Sequence, residues 1–264
     1  MLGNIQNLIL QLTIDPVRAD QFFADPESFQ VEFALSDEEL SFAKQLPQKA
    51  ITDFQISVCR KRSRRVYDAV KRTSACLQQQ KGQDVFRSFA IAHVMRSNEW
   101  PNKIPAFFDH VESALGDTVE DGVLREVVSF ERWMYNIDQG MLQHDVAGRG
   151  IVRTPQAQIH SFLVPAEPLL DEWVSPELRQ ILMEGYGQSK SFVLALQTGD
   201  EIELFEIDAC IYEILMQCEK PQSKEALTAV VQTAIQKHEV DKQPQEVLAE
   251  LEELGILIEI GEEA

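Results

Sequence analysis

The stretch from Phe192 to Ile207 restricts the possible folds of this chain more than any other. Phe192-Val193-Leu194-Ala195-Leu196 and Ile202-Glu203-Leu204-Phe205-Glu206-Ile207 flank Thr198-Gly199-Asp200. A glycine-containing tight turn between two apolar runs, the second partly alternating, is a strand, turn, strand signal. Beyond Ile207 the period becomes helical. Asp208 to Cys218, Ser223 to His238 and Pro244 to Leu254 predict three helices, with Asp208 and Ser223 as N-caps and Pro244 in a first turn. Gly255 ends the third helix ahead of a short strand from Ile256 to Ile260. A hairpin, three helices and a strand within residues 188–264 make the plan of a small winged helix-turn-helix domain.

Upstream the pattern is helical. Ile5, Leu8, Ile9 and Leu12 share one face of a helix that breaks at Asp15-Pro16, and a second short run ends at Asp25-Pro26. Ser36 and Glu39 form a capping-box signature before Leu40. A long helix is expected from about Pro47 to Cys76, another around Val85 to Val94, and two more over Ile104 to Leu115 and Val123 to Leu142. Residues 1–142 therefore read as one helical domain. Gly148, Gly150, Pro155, Pro165, Pro168 and Pro176 punctuate the next stretch, yet Ile159, Phe162, Leu163 and Trp173 are too apolar for a free linker. Residues 143–187 are read as a packed connector. The expected fold is mainly alpha and two-part.

Charge narrows the function. Among 264 residues, 24 Lys and Arg face 43 Asp and Glu, a formal net charge of -19. Residues 200–264 hold 17 Asp or Glu and only 4 Lys, and the third helix carries Glu246, Glu250, Glu252 and Glu253 with no basic residue. Such a helix opposes phosphate entry into a DNA groove. The same architecture can bind a peptide, because a strand edge beside a helix offers backbone hydrogen bonds and an apolar groove. An acidic packing or dimerisation module is the plainer alternative.

Catalytic signatures are missing from the sequence. His93, His110, His144, His160 and His238 form no HExxH arrangement, and His144-Asp145 lacks a third ligand. Gly148-Arg149-Gly150 has neither a Walker nor a dinucleotide-binding context. Cys210 and Cys218 lie about 12 Å apart along one helix, too far for a disulfide, and Cys59 and Cys76 lack a spacing-based mate. Reduced, buried thiols are expected. The stretch from Met1 to Thr13 has no basic region ahead of its apolar residues and reaches Asp15 too soon for a signal or a membrane span, so a cytoplasmic location is expected.

Residues 188–260 resemble the peptide-recognition elements found in the biosynthesis of ribosomally made, post-translationally modified peptides. The matching marks are the hairpin around Gly199, Phe205-Glu206-Ile207-Asp208 leading into Ile211-Tyr212-Glu213-Ile214-Leu215, and Val247-Leu248-Ala249-Glu250-Leu251 leading into Gly255-Ile256-Leu257. Phe22-Phe23-Ala24-Asp25-Pro26, Leu35-Ser36-Asp37-Glu38-Glu39-Leu40 and Arg60-Lys61-Arg62-Ser63-Arg64-Arg65-Val66 resemble the helical partner subunits of multinuclear non-haem iron-dependent oxidative enzymes. Within that class, the plan is most similar to partners in 3-thiaglutamate-type pathways. The resemblance implies a noncatalytic subunit with no cofactor of its own. It would bind a ribosomally synthesised precursor peptide and a separate iron enzyme, which oxidises a peptide cysteine. It also implies that Ile202, Leu204 and Ile207 of the strand and Val247, Leu248 and Leu251 of the helix bracket the precursor.

The basic run has three readings. Arg60, Arg62, Arg64 and Arg65, with Lys61, Lys71 and Arg72, are the only dense positive cluster. They can dock an acidic enzyme surface, pair internally within an acidic protein, or contact nucleic acid, the last opposed by the overall charge. A winged-helix transcriptional regulator and a structural assembly scaffold stand as alternatives for the whole chain.

Overall fold

The structure is a computed structural model describing residues 2–77, 85, 88–89, 103–142, 148–171, 173–199 and 201–261, without the side chains of Leu2, Cys59, Arg60, Arg62, Ser63, Arg65 and Tyr67. It is mainly helical with two small antiparallel sheets, and its contacts divide it into two units, Met1–Leu115 and Gly116–Ala264.

The first unit is built from α1 (Leu2–Ile14), α2 (Pro16–Ala24), α3 (Pro26–Glu32), α4 (Asp37–Ala43), α5 (Gln48–Ala69), α6 (Lys71–Cys76) and α7 (Lys103–Ser113). Three of the short helices, α2, α3 and α4, start where local chemistry dictates. Asp15 accepts from the amides of Val17 and Arg18, Asp25 accepts from Ser28, and each is followed by a proline that has no amide to leave unpaired. Ser36 and Glu39 form the reciprocal capping box expected of them. Leu8, Leu12, Phe22, Phe29, Leu40 and Ile51 bury their side chains together, with Phe22 and Phe29 edge to face at 5.5 Å. The long helix expected up to Cys76 is instead two helices. Val70 leaves helical geometry at φ -122° and ψ 47° with its side chain fully buried. The helix expected around Val85 to Val94 lies largely outside the described residues.

The second unit begins with α8 (Val119–Asp138), capped by Thr118, and contains β1 (Gly150–Arg153), β2 (Ala157–Phe162), α9 (Glu167–Leu170) and α10 (Leu178–Gly185). It continues through β3 (Ser191–Thr198), β4 (Glu201–Ile207), α11 (Ala209–Gln217), α12 (Lys224–His238), α13 (Pro244–Glu253) and β5 (Leu257–Ile260). The hairpin and the three helices match the sequence reading to within a residue or two. Gly199, at φ +64°, turns the hairpin, and Gly255, at φ +68°, follows α13, both in the left-handed region that glycine enters without strain.

The contacts divide the chain differently from the expected domain bounds in two places. The boundary lies at Leu115/Gly116, so α8 belongs with the C-terminal unit and not with a helical domain ending at 142. Residues 143–187 also do more than connect: β1 pairs antiparallel with β5, and β2 pairs antiparallel with β3. The physical reason is that Ile151, Val152, Ala157 and Phe162 are buried, and a buried backbone must find hydrogen-bond partners, which here come from strands about 35 and 105 residues away. The last strand therefore joins β1 and not the hairpin.

The resulting sheet, ordered β2-β3-β4, has two covered faces. Its inner face supplies Ala157 and Leu194 to a core shared with Cys210, Ile214, Val231, Val247, Leu248 and Leu251 of the three succeeding helices. On the outer face, His160 and Phe162 of β2 lie against Trp133 of α8, with ring centroids 5.7 and 6.2 Å away. Helix α8 comes close to the segment after α10 because residue 122 is glycine: a Cβ there would collide with the Tyr186 ring.

Candidate functional site

The edge of the second sheet is its most exposed part. β4 pairs with β3 from Phe192↔Ile207 to Thr198↔Glu201, and among the described residues no other strand lies beside it. The short helix α9 packs near it. Directly paired residues in an antiparallel ladder share a face, so Glu203, Phe205 and Ile207 stand with Leu196, Leu194 and Phe192 on the inner, helix-facing side. Ile207 packs against the inner core accordingly. Ile202, Leu204 and Glu206 stand on the outer side, alongside Gln197, Ala195 and Val193.

Backbone direction is fixed by one hydrogen bond. The Gln197 amide donates to the Gln156 carbonyl at 3.0 Å, so the peptide groups of Gln197, Ala195 and Val193 point toward β2. Those of Leu196, Leu194 and Phe192 then point toward β4, where Glu203, Phe205 and Ile207 answer them. The N–H and C=O groups of Ile202, Leu204 and Glu206 consequently point away from the sheet. Among the described residues, no backbone hydrogen bond outside the β3 ladder reaches them. An unpaired row of this kind is a template for an added strand.

The strand runs directly into α11 through Asp208, whose carboxylate accepts from the Ile211 amide at 2.8 Å. Lys242, just ahead of α13, lies within electrostatic reach of Asp208. Its ammonium is held above the ordinary lysine range chiefly by its hydrogen bond to Glu250, 2.7 Å away, with Glu246 and Asp208 adding to the effect.

The six residues expected to bracket a peptide are not brought together as one lining. Val247, Leu248 and Leu251 are 3, 5 and 4% exposed and form part of the core, fixing α13 in place without a surface to offer. Ile207 is half-buried against the same core, while half-buried Ile202 and Leu204 face the other side of the sheet. The side chain that the sequence pattern does not single out is Phe205, 44% exposed on the helix-facing side of the edge strand. Leu204-Phe205 interrupts the alternation, leaving the pattern silent on which of the two faces the helices.

Of the basic run, Lys61, Arg64 and Lys71 are exposed, Arg64 and Lys61 on α5 and Lys71 at the start of α6. The side chains of Arg60, Arg62 and Arg65 lie outside the described residues. The two units differ sharply in charge. Residues 1–115 contain 14 acidic and 14 basic residues, whereas residues 116–264 contain 29 acidic and 10 basic ones, so the whole excess of -19 sits on the second unit.

Other reactive groups are structural in their surroundings. Burial pushes the Cys218 thiol up to about 11, and Cys210 is raised by the same cause, so both remain protonated thiols at neutral pH. Burial lowers the His160 imidazole below its ordinary range; its Nε2 lies 3.3 Å from the Ser129 hydroxyl. Among the described residues no three His, Cys, Asp or Glu side chains are grouped to hold a metal ion, and His144-Asp145 lie outside them. Among the described residues no helix is long and apolar enough to cross a membrane. No protein-family model matches the chain, and no curated protein matches it at significant similarity.

Proposed function

We propose that this chain is a noncatalytic recognition subunit that captures a ribosomally synthesised precursor peptide by strand addition at β4. In this reading the β2-β3-β4 sheet and helices α11 to α13 act as a winged-helix-like recognition element, and the first unit docks a separate multinuclear iron enzyme through the run containing Arg60, Arg62, Arg64 and Arg65. The enzyme carries the iron and modifies a cysteine of the peptide. The subunit's contribution is concentration and orientation, which accelerate a reaction without donating a reacting group. The observation that carries the proposal is the row of outward backbone groups at Ile202, Leu204 and Glu206 beside the exposed Phe205 ring. The concentration of negative charge on this unit counts against a transcriptional regulator, because a surface of that sign repels the DNA backbone.

Two proline substitutions on one strand test the mode of binding. Leu204→Pro removes an outward amide and spares the hairpin ladder, whereas Glu203→Pro removes an amide that faces β3. In titration calorimetry with the precursor peptide, Leu204→Pro should lose affinity by about tenfold or more, the equivalent of one or two hydrogen bonds, with an unchanged circular dichroism melt. Glu203→Pro should lower the melt itself. Full affinity in a folded Leu204→Pro protein would move recognition to another surface.

A further inference from the structure

The edge strand also specifies the chemistry of its occupant. Glu201, Glu203 and Glu206 are exposed, and among the described residues none of them forms an ion pair. β4 contains no basic residue, and the exposed face of α13 adds Glu246, Glu250, Glu252 and Glu253, of which, among the described residues, Glu250 alone forms an ion pair, with Lys242. Three uncompensated carboxylates on a seven-residue strand repel one another, and Glu201 and Glu203 do so on the same face.

A second copy of this chain is a poor occupant. Pairing two β4 edges would gather six glutamates along one short ladder with no basic residue from either strand, a cost that opposes self-association of the exposed edge. An acidic peptide meets the same repulsion, and a nucleic-acid backbone meets the field of the entire unit.

Resting on the strand-addition reading of β4, we infer that the segment completing this strand is a cationic extended peptide, with Lys or Arg beside Glu201, Glu203 and Glu206 and apolar residues beside Leu204 and Phe205. The spacing is set by the faces of the strand. An added residue next to Phe205 projects toward the helices, where the exposed ring covers an apolar side chain. Its neighbour beside Leu204 projects to the outer face. Cations beside Glu203 and Glu206 fall on opposite faces, so both sides of the added strand carry charge partners. A cross-strand pair of opposite charge is favourable where two like charges are not.

The test uses the full chain and two fluorescein-labelled hexapeptides read by anisotropy across a salt series. One has lysine at positions one, four and six with valine or isoleucine between, and the other has glutamate in place of the three lysines. The variants are the triple substitution Glu201→Gln, Glu203→Gln, Glu206→Gln, which touches only exposed side chains, and Leu204→Pro. The lysine peptide should bind and the glutamate peptide should not. The triple variant should weaken lysine-peptide binding about tenfold at low salt, with the difference shrinking as salt rises, and Leu204→Pro should weaken it also. Lysine-peptide binding that the triple variant retains in full but Leu204→Pro loses would overturn the cationic assignment and leave strand addition standing. Binding indifferent to both variants would overturn both. Equal binding of the two peptides, or no binding of the lysine peptide at low salt, would overturn the cationic assignment.

Discussion

His160 shows how a single side chain can sense pH through packing. It is half-buried on the outer face of the sheet, stacked at 26° on the Trp133 indole and 4.6 Å from the Phe162 ring, with the Ser129 hydroxyl as a polar neighbour. Loss of water favours the neutral ring, so its folded pKa lies below the unfolded value of about 6.5. The stabilisation from keeping it neutral is therefore complete above about pH 6.5 and is lost as pH falls through the lowered folded value. Guanidinium midpoints measured from pH 7.5 down to 5 should fall more steeply for the native protein than for a His160→Gln variant. Identical slopes would mean that the imidazole charges at no cost inside this contact.

Among the elements, α13 and β4 divide two tasks that the sequence had joined. Leu251 is 4% exposed within the core, so Leu251→Ala removes a packed side chain and should cost about 2–5 kcal/mol of unfolding free energy. Phe205 is 44% exposed, and Phe205→Ala should change stability by about 1 kcal/mol or less. The proposed peptide affinity should respond in the opposite order: lost on Phe205→Ala and retained by Leu251→Ala at a temperature where that variant is folded. Paired calorimetry and denaturation read both quantities. A Phe205→Ala protein with native affinity would remove the ring from the binding surface.

For the molecule as a whole, the decisive feature is that its second unit is stitched together by long-range strand pairs. β1 depends on β5, and β2 depends on β3, so a chain cut after residue 187 deprives both strands of partners and strips the three helices from the inner face of β2, where Ala157 is buried. Deleting residues 188–264 should leave 116–187 unfolded and protease-sensitive while 1–115 keeps its core of Leu8, Leu12, Phe22 and Phe29. Limited proteolysis with mass spectrometry distinguishes the two outcomes. A protected 116–187 fragment would show that the strand pairs are dispensable.

Local chemistry was legible throughout the sequence. The caps at Ser36, Asp208 and Ser223, the breaks at Asp15-Pro16 and Asp25-Pro26, the turn at Gly199 and the stop at Gly255 each act within a few residues, so the elements they bound appear nearly where those residues predict. The sequence also carried the acidic character of the hairpin and of α13, because charge needs no partner to be counted. Partnership depended on distance in space. Helix periodicity identified an apolar stripe on α8 but not that Trp133 would lie on β2, and the prolines and glycines of 148–176 concealed strands whose partners lie far along the chain. The site was divided in the same way. An edge strand could be expected from its pattern, but only the register of β4 against β3 decided which backbone groups point outward. Tertiary packing consigned Val247, Leu248 and Leu251 to the core and left Phe205 at the surface, because burial is set by what an element packs against and not by the hydrophobicity of its residues alone.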